Sequence, residues 1–125
     1  MDRSAVQKWV ADYERAWRTP GTGLLAGLFV PEASYLPSPW AQPVEGLDAI
    51  ATFWEAERVG PDEVFTMTAE VVAVDGQAAV VRVVVSYGAP VTSSWRDLWV
   101  LGFAEDGRCS RFEEWPFRPD QPDGH

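Results

Sequence analysis

One cysteine and one histidine are all this chain offers of the two residue types most used in nucleophilic and metal chemistry. Cys109 has no partner for an internal disulfide, in keeping with a reducing compartment, and no histidine sits near it to activate a thiolate. The single histidine, His125, is the last residue, so neither histidine-based catalysis nor a histidine-rich metal site is expected. Basic residues are also scarce: ten Lys and Arg stand against nineteen Asp and Glu, a net charge of −9. Nucleic acid and anionic membrane both demand a basic face, so neither is expected as a partner. With no Gly-rich phosphate loop, the balance favours a neutral or cationic ligand over a phosphorylated one. No apolar run approaches membrane-spanning length, and the first nine residues lack the apolar core of a secretion signal. The cytoplasm is therefore the expected location.

Aromatic side chains are present in excess. Seven Trp in 125 residues exceed what packing alone usually needs, and large rings are the usual lining of small-molecule cavities. The length fits one domain, residues 1–125, with 118–125 as a tail. Val6, Trp9, Val10, Tyr13, Ala16 and Trp17 recur at helical spacing. They predict an amphipathic first helix, opened by a capping box of Ser4 and Gln7 and closed by Thr19-Pro20-Gly21. A short second helix, capped by Thr22, takes in Leu24, Leu25, Leu28 and Phe29 until Pro31 limits it, and residues 33–36 make a brief strand. Pro37, Pro39 and Pro43 then constrain a loop around Trp40, an indole with no core stripe to join, which reads either as a rim or lid residue or as a hydrophobic plug. Ile50, Phe53, Trp54 and Glu57 mark one face of a third helix, ended by Gly60-Pro61. From Phe65 the period becomes two. A Val-rich hairpin turns at Asp75-Gly76, and a second hairpin turns at Asp106-Gly107 before a non-pairing segment that starts at Pro116. Helices first and a four-strand antiparallel meander last describe an α+β domain with its helices on one sheet face.

The second hairpin carries the chemistry. A two-residue turn at Asp106-Gly107 sets Leu101 opposite Phe112 and Trp99 opposite Glu114. Alternation gives one face Trp95, Asp97, Trp99, Leu101, Phe103, Phe112 and Glu114, and the other Arg96, Leu98, Val100, Arg111, Glu113 and Trp115. Asp97 falls one diagonal from Glu114, roughly 7–8 Å between backbones, near enough for the carboxyls to meet. Buried together they form an acid/base pair, one member protonated and the other ionised near neutrality, with Tyr13 available to bind a carbonyl or enolate oxygen. In the competing structural reading, Asp97 pairs with an Arg or caps a loop amide, and Glu114 accepts a hydrogen bond from Trp99 or Trp95. The opposite face, with Leu98, Val100 and Trp115, is too apolar to stand bare and predicts a homodimer.

Several landmarks recur in a specific order from Val6 to Pro116. They are Tyr13 in the first helix, Leu28-Phe29 before Glu32-Ala33-Ser34-Tyr35, Gly46-Leu47-Asp48-Ala49-Ile50 with Phe53-Trp54, Asp106-Gly107-Arg108, and Phe112-Glu113-Glu114-Trp115-Pro116. In that order the chain resembles the nuclear transport factor 2-like superfamily, in its SnoaL-like and ketosteroid-isomerase-like branch. The resemblance implies three N-terminal helices packed in the concave face of a curved, mainly antiparallel β-sheet, a cone-shaped α+β barrel around a mostly apolar cavity. It also implies dimerisation through the outer sheet face. Tyr13 falls where ketosteroid isomerases carry an oxyanion-hole tyrosine. Their general-base aspartate aligns with Pro37 and their protonated acid with Trp99, so that mechanism does not carry over. Two functions fit the resemblance. One is a cofactor-free acid/base enzyme, an isomerase, cyclase or dehydratase acting on a hydrophobic carbonyl-containing metabolite. The other is a non-catalytic ligand-binding or protein-interaction domain of the same fold. The catalytic candidates are Asp97, Glu114 and Tyr13. Trp17, Tyr35, Trp40, Phe53, Trp54, Trp95, Trp99 and Phe112 are the candidates for binding a small hydrophobic molecule, with no cofactor and no metal.

Overall fold

The computed structural model describes residues 1–60 and 62–121, so Pro61, the last four residues and the expectations placed on His125 lie outside it. Helix α1, Arg3–Arg18, buries Val6, Trp9, Val10, Tyr13 and Ala16, the stripe its spacing predicts. Its cap differs from the expected Ser4 and Gln7 box: Asp2 accepts the Ala5 amide at 2.8 Å, so the helix starts two residues earlier. Arginines at both ends of α1 hold it on the sheet. Arg3 donates to Val71 O, and Arg18 donates to Phe65 O at 3.1 Å. Only α1 is long, since α2 is the single turn Leu25–Leu28 and α3 spans Leu47–Glu57. Gly46, at φ +89°, ties the start of α3 to the sheet through its amide on Ala33 O at 2.8 Å.

Phe29, expected at the end of α2, instead opens strand β1, Phe29–Leu36, which is twice the expected length. A two-residue strand β2, Val44–Glu45, pairs with it. The remaining strands are β3 (Phe65–Asp75), β4 (Ala78–Tyr87), β5 (Ser93–Phe103) and β6 (Cys109–Phe117). The sheet order is β2-β1-β6-β5-β4-β3, with β1 parallel to β6 and every other pair antiparallel. The expected meander is there, but it occupies only four of six strands. Pro116 and Phe117, expected past the last strand, pair with Asp97 and Arg96. The sheet is open rather than barrel-closed, because its edges β2 and β3 do not meet. Irregular registers in β1, in β3 at Val72 and in β6 at Ser110 bend the sheet around α1.

One end of this curved layer is filled. Trp9 stands edge-on to Phe29 and Phe103, 5.8 and 5.6 Å between ring centres, and its Nε1 donates to Leu28 O at 3.0 Å. Leu101, Val81 and Cys109 close the remaining space. Cys109 Sγ donates to Arg111 O there, and burial pushes the thiol up to about 12, which keeps it un-ionised and unreactive. The opposite end is not filled by side chains. It is bounded by the starts of β3 and β5, the ends of β1, β4 and β6, and the C-terminal halves of α1 and α3, and it holds a cavity of about 810 Å³.

Candidate active site

The cavity is large enough for a drug-sized molecule. Tyr13 and Trp17 from α1, Phe53 from α3, and Trp95 and Trp99 from β5 present rings to it. The inward phase of β4, Val81, Val83, Val85 and Tyr87, leads from the core to the mouth and ends in a phenol.

Asp97 and Glu114 enter from neighbouring strands. Trp99 pairs with Glu114 and Asp97 with Pro116, the register that puts the two carboxyls on one diagonal. Asp97 is 7 % exposed, and its strand neighbours, Val83 and Pro116, bring no side-chain donor. Oδ1 of Asp97 is consequently buried without a hydrogen-bond partner. Trp99 Nε1 donates to Glu114 Oε2 at 3.4 Å. Burial pushes Glu114 well above the usual carboxylate range, and Asp97 pushes it further through a hydrogen bond and its charge. Asp97 is raised as well, chiefly by burial, but Glu114 and Trp99 pull it partly back. The stronger upward push falls on Glu114, which makes it the member of the pair that more readily keeps a proton.

Two tyrosines face this pair. The Phe112 ring packs against both and lies parallel to each, 5.5 Å and 4° from Tyr13 and 4.5 Å and 6° from Tyr35. The stack holds the two hydroxyls 3.2 Å apart. Burial, the neighbouring phenol and the Glu114 carboxyl raise Tyr13 well above 10, and burial followed by Glu114 does the same for Tyr35. Both phenols therefore stay protonated and act as donors. One proton is used within the pair, which leaves the other free to point at a ligand oxygen.

Of the candidates read from the sequence, Asp97, Glu114, Tyr13, Trp17, Tyr35, Phe53, Trp95 and Trp99 share the cavity. Trp54 and Phe112 are fully buried behind its wall, and Trp54 Nε1 has no hydrogen-bond partner. Trp40 is 98 % exposed and neither rims nor plugs the cavity, because the proline-rich loop carries it outward. The cavity lining also takes in residues that were not among the candidates. Glu57 lies four residues beyond Phe53 on the inward stripe of α3, and Tyr87 continues the inward phase of β4, so both were readable from spacing. Glu63 and Pro116 had no such signal. Among the described residues no three His, Cys, Asp or Glu side chains converge closely enough to hold a metal ion, and no helix is long and apolar enough to cross a membrane.

The pattern of the SnoaL-like domain matches residues 9–112, most of the chain, and ends within β6 before Glu114 and Pro116. The chain belongs to the SnoaL-like domain family. Solved structures of similar fold agree. A proposed polyketide cyclase from Sinorhizobium meliloti is 24 % identical, with 86 % of this chain and 93 % of that one covered at a TM-score of 0.64. A proposed ketosteroid isomerase from Kribbella flavida is 20 % identical over 92 % and 76 % of the two chains, at 0.67. An epoxide hydrolase/cyclase-like enzyme of pyran ring formation in the polyether salinomycin is 14 % identical over 93 % of each chain, at 0.73. None of the curated proteins matches the chain. In this SnoaL-like domain Pro37 and Trp99, the positions at which the sequence resemblance expects the isomerase acids, both stand on the cavity wall. Neither side chain can take a proton from carbon. Among the described residues the carboxyls that line the cavity with them are Glu57, Glu63, Asp97 and Glu114.

Proposed function

We propose that this SnoaL-like domain is a cofactor-free acid/base enzyme acting on a hydrophobic, carbonyl-containing metabolite. The observation that carries the proposal is the Asp97–Glu114 pair on the wall of an aromatic cavity, one register step apart on neighbouring strands and facing two phenols whose hydroxyls are 3.2 Å apart. Asp97, ionised beside the protonated Glu114, takes a proton from the carbon next to the substrate carbonyl. The electron pair moves onto the carbonyl oxygen, where the free phenol proton of the Tyr13–Tyr35 couple stabilises the enolate. Returning the proton at a different carbon completes an isomerisation. Attack of the enolate carbon on a second carbonyl of the same substrate completes a cyclisation, the C=O π bond opening to an oxygen that takes back the Asp97 proton. Loss of a β-hydroxyl as water with the Glu114 proton completes a dehydration. Similar structures named polyketide cyclase, ketosteroid isomerase and epoxide hydrolase/cyclase-like support this range without selecting within it.

The presence of Pro37 and Trp99 where isomerases carry acids favours a second reading, binding without turnover. Exchange of the α-protons of 2-tetralone in D2O, followed by NMR, separates the two. The enzyme reading expects wild-type protein to accelerate exchange and Asp97→Asn to lower that acceleration at least about 100-fold with the ketone still bound. No acceleration by the wild type, or an equal rate with the variant, would leave only the binding role.

A further inference from the structure

Every basic side chain that approaches a cavity ring is already matched to an acid outside the cavity. The Arg18 guanidinium sits 3.9 Å from the centre of the Phe65 ring and pairs with Glu14 at 2.8 Å. Arg58 lies 5.9 Å from the Trp17 ring and pairs with Glu55, while Arg118, 5.4 Å from the Trp95 ring, pairs with Asp120 at 3.4 Å. The four acids that line the cavity, Glu57, Glu63, Asp97 and Glu114, have no such partner among the described residues, and no Lys, Arg or His lines it with them. A second observation points the same way. Asp97 is more than nine-tenths buried, yet its Oδ1 accepts no hydrogen bond. A buried acceptor of this kind costs free energy until a donor reaches it.

The four acids line the cavity together with the Tyr87 ring. Burial pushes the Tyr87 phenol up to about 12, with Glu63, Glu114, Asp97 and Glu57 adding to the shift in that order. A negative potential focused between low-dielectric aromatic walls repels anions and concentrates cations. Aromatic faces add a specific attraction for an organic cation.

We infer that the ligand of this cavity carries a protonated amine, seated beside the Tyr87 ring between Glu57 and Glu63 at the mouth and the Asp97 carboxylate below. The inference names the ligand class of the site proposed above and rests on the cavity being that ligand site. It also suits the proposed chemistry, because a nearby positive charge holds Asp97 in its ionised form.

Three probes of equal shape or size test it by calorimetric titration at neutral pH. They are N,N-dimethylbenzylamine, which is protonated there, its carbon isostere isobutylbenzene, and phenylacetate. The expected result is that the amine binds at least about tenfold more tightly than isobutylbenzene, and that phenylacetate does not bind. In a Glu57→Gln/Glu63→Gln double variant the preference falls by at least about threefold. Both positions are partly or fully exposed, and glutamine keeps the oxygen with which Glu63 accepts the Val59 amide. Equal binding of the amine and isobutylbenzene, or a preference unaltered in the double variant, overturns the inference. The 2-tetralone exchange of the wild-type protein reads the proposed reaction independently, so exchange without amine preference defeats only this inference, and amine preference without exchange defeats only the enzyme reading.

Discussion

Glu114 is the residue whose protonation distinguishes a working acid/base pair from an ordinary rim carboxylate. Its folded-state pKa is raised by burial and by Asp97, so the native chain holds a proton that the unfolded chain releases above about 4.5. Stability from this group is complete below that value and is lost as the pH climbs through the raised one, by up to ~1.4 kcal/mol per pH unit for one proton. Glu114→Gln removes the dependence. Thermal melting at pH 5 and pH 8.5 should show the variant gaining on the wild type as the pH rises, and a gap that stays constant would mean that Glu114 titrates normally. Tyr13 belongs to the same scale. With its hydroxyl 3.2 Å from that of Tyr35, Tyr13→Phe should lower the proposed turnover by about 100-fold or more while leaving binding of the apolar ligand nearly unchanged.

At the scale of elements, the stack of Tyr13, Phe112 and Tyr35 shows how the sheet sets the site. Phe112→Ala should cost ~3–5 kcal/mol, measured by denaturant unfolding, because the ring is fully buried and packs against both phenols. Gly88→Ala is a second structural test. Gly88 lines the mouth at φ +92°, and a Cβ there would meet Pro90 O at 2.8 Å and Thr92 Oγ1 at 2.9 Å, so a loss of at least ~1 kcal/mol is expected from the same measurement. Much of this geometry was legible in the sequence. Alternation along β5 and β6 placed Asp97, Trp99 and Glu114 on one face, and the expected Trp99–Glu114 pairing is the one observed. The turn itself is different. Ala104 and Arg108 enclose three residues, with Gly107 at φ +87°, and the extra residue at Ser110 restores the register from Gly102 onward. The Val-rich hairpin likewise turns at Gly76 and Gln77, one residue later than Asp75-Gly76 suggests. β1 was unreadable for a physical reason. Pro31 looks like a stop, and the parallel pairing with β6 joins segments far apart in the chain, which no local period encodes. The outward turn of Trp40 was hidden for the same reason.

For the whole molecule, the outer sheet face is the unsatisfied feature. Val84, Leu98, Trp115 and Phe117 are each more than a third exposed, a contiguous apolar strip that water covers poorly. We propose that a second copy covers it. Sedimentation at micromolar concentration should give a dimer that Leu98→Glu dissociates, and a monomeric wild type would defeat the proposal. Dimerisation on this side leaves the concave face and its cavity free. The packed end at Trp9, Phe29 and Phe103 provides the rigidity against which the open end can hold buried carboxyls.

The most direct test is to observe the proton shared by the pair. Carboxyl 13C NMR of protein labelled at Asp and Glu, assigned through Glu114→Gln and Asp97→Asn, should show Glu114 protonated at pH 7 while Asp97 is ionised, with the two signals shifting together as the pH is raised. Independent titration of both carboxyls in the ordinary acidic range would contradict the acid/base assignment of this site.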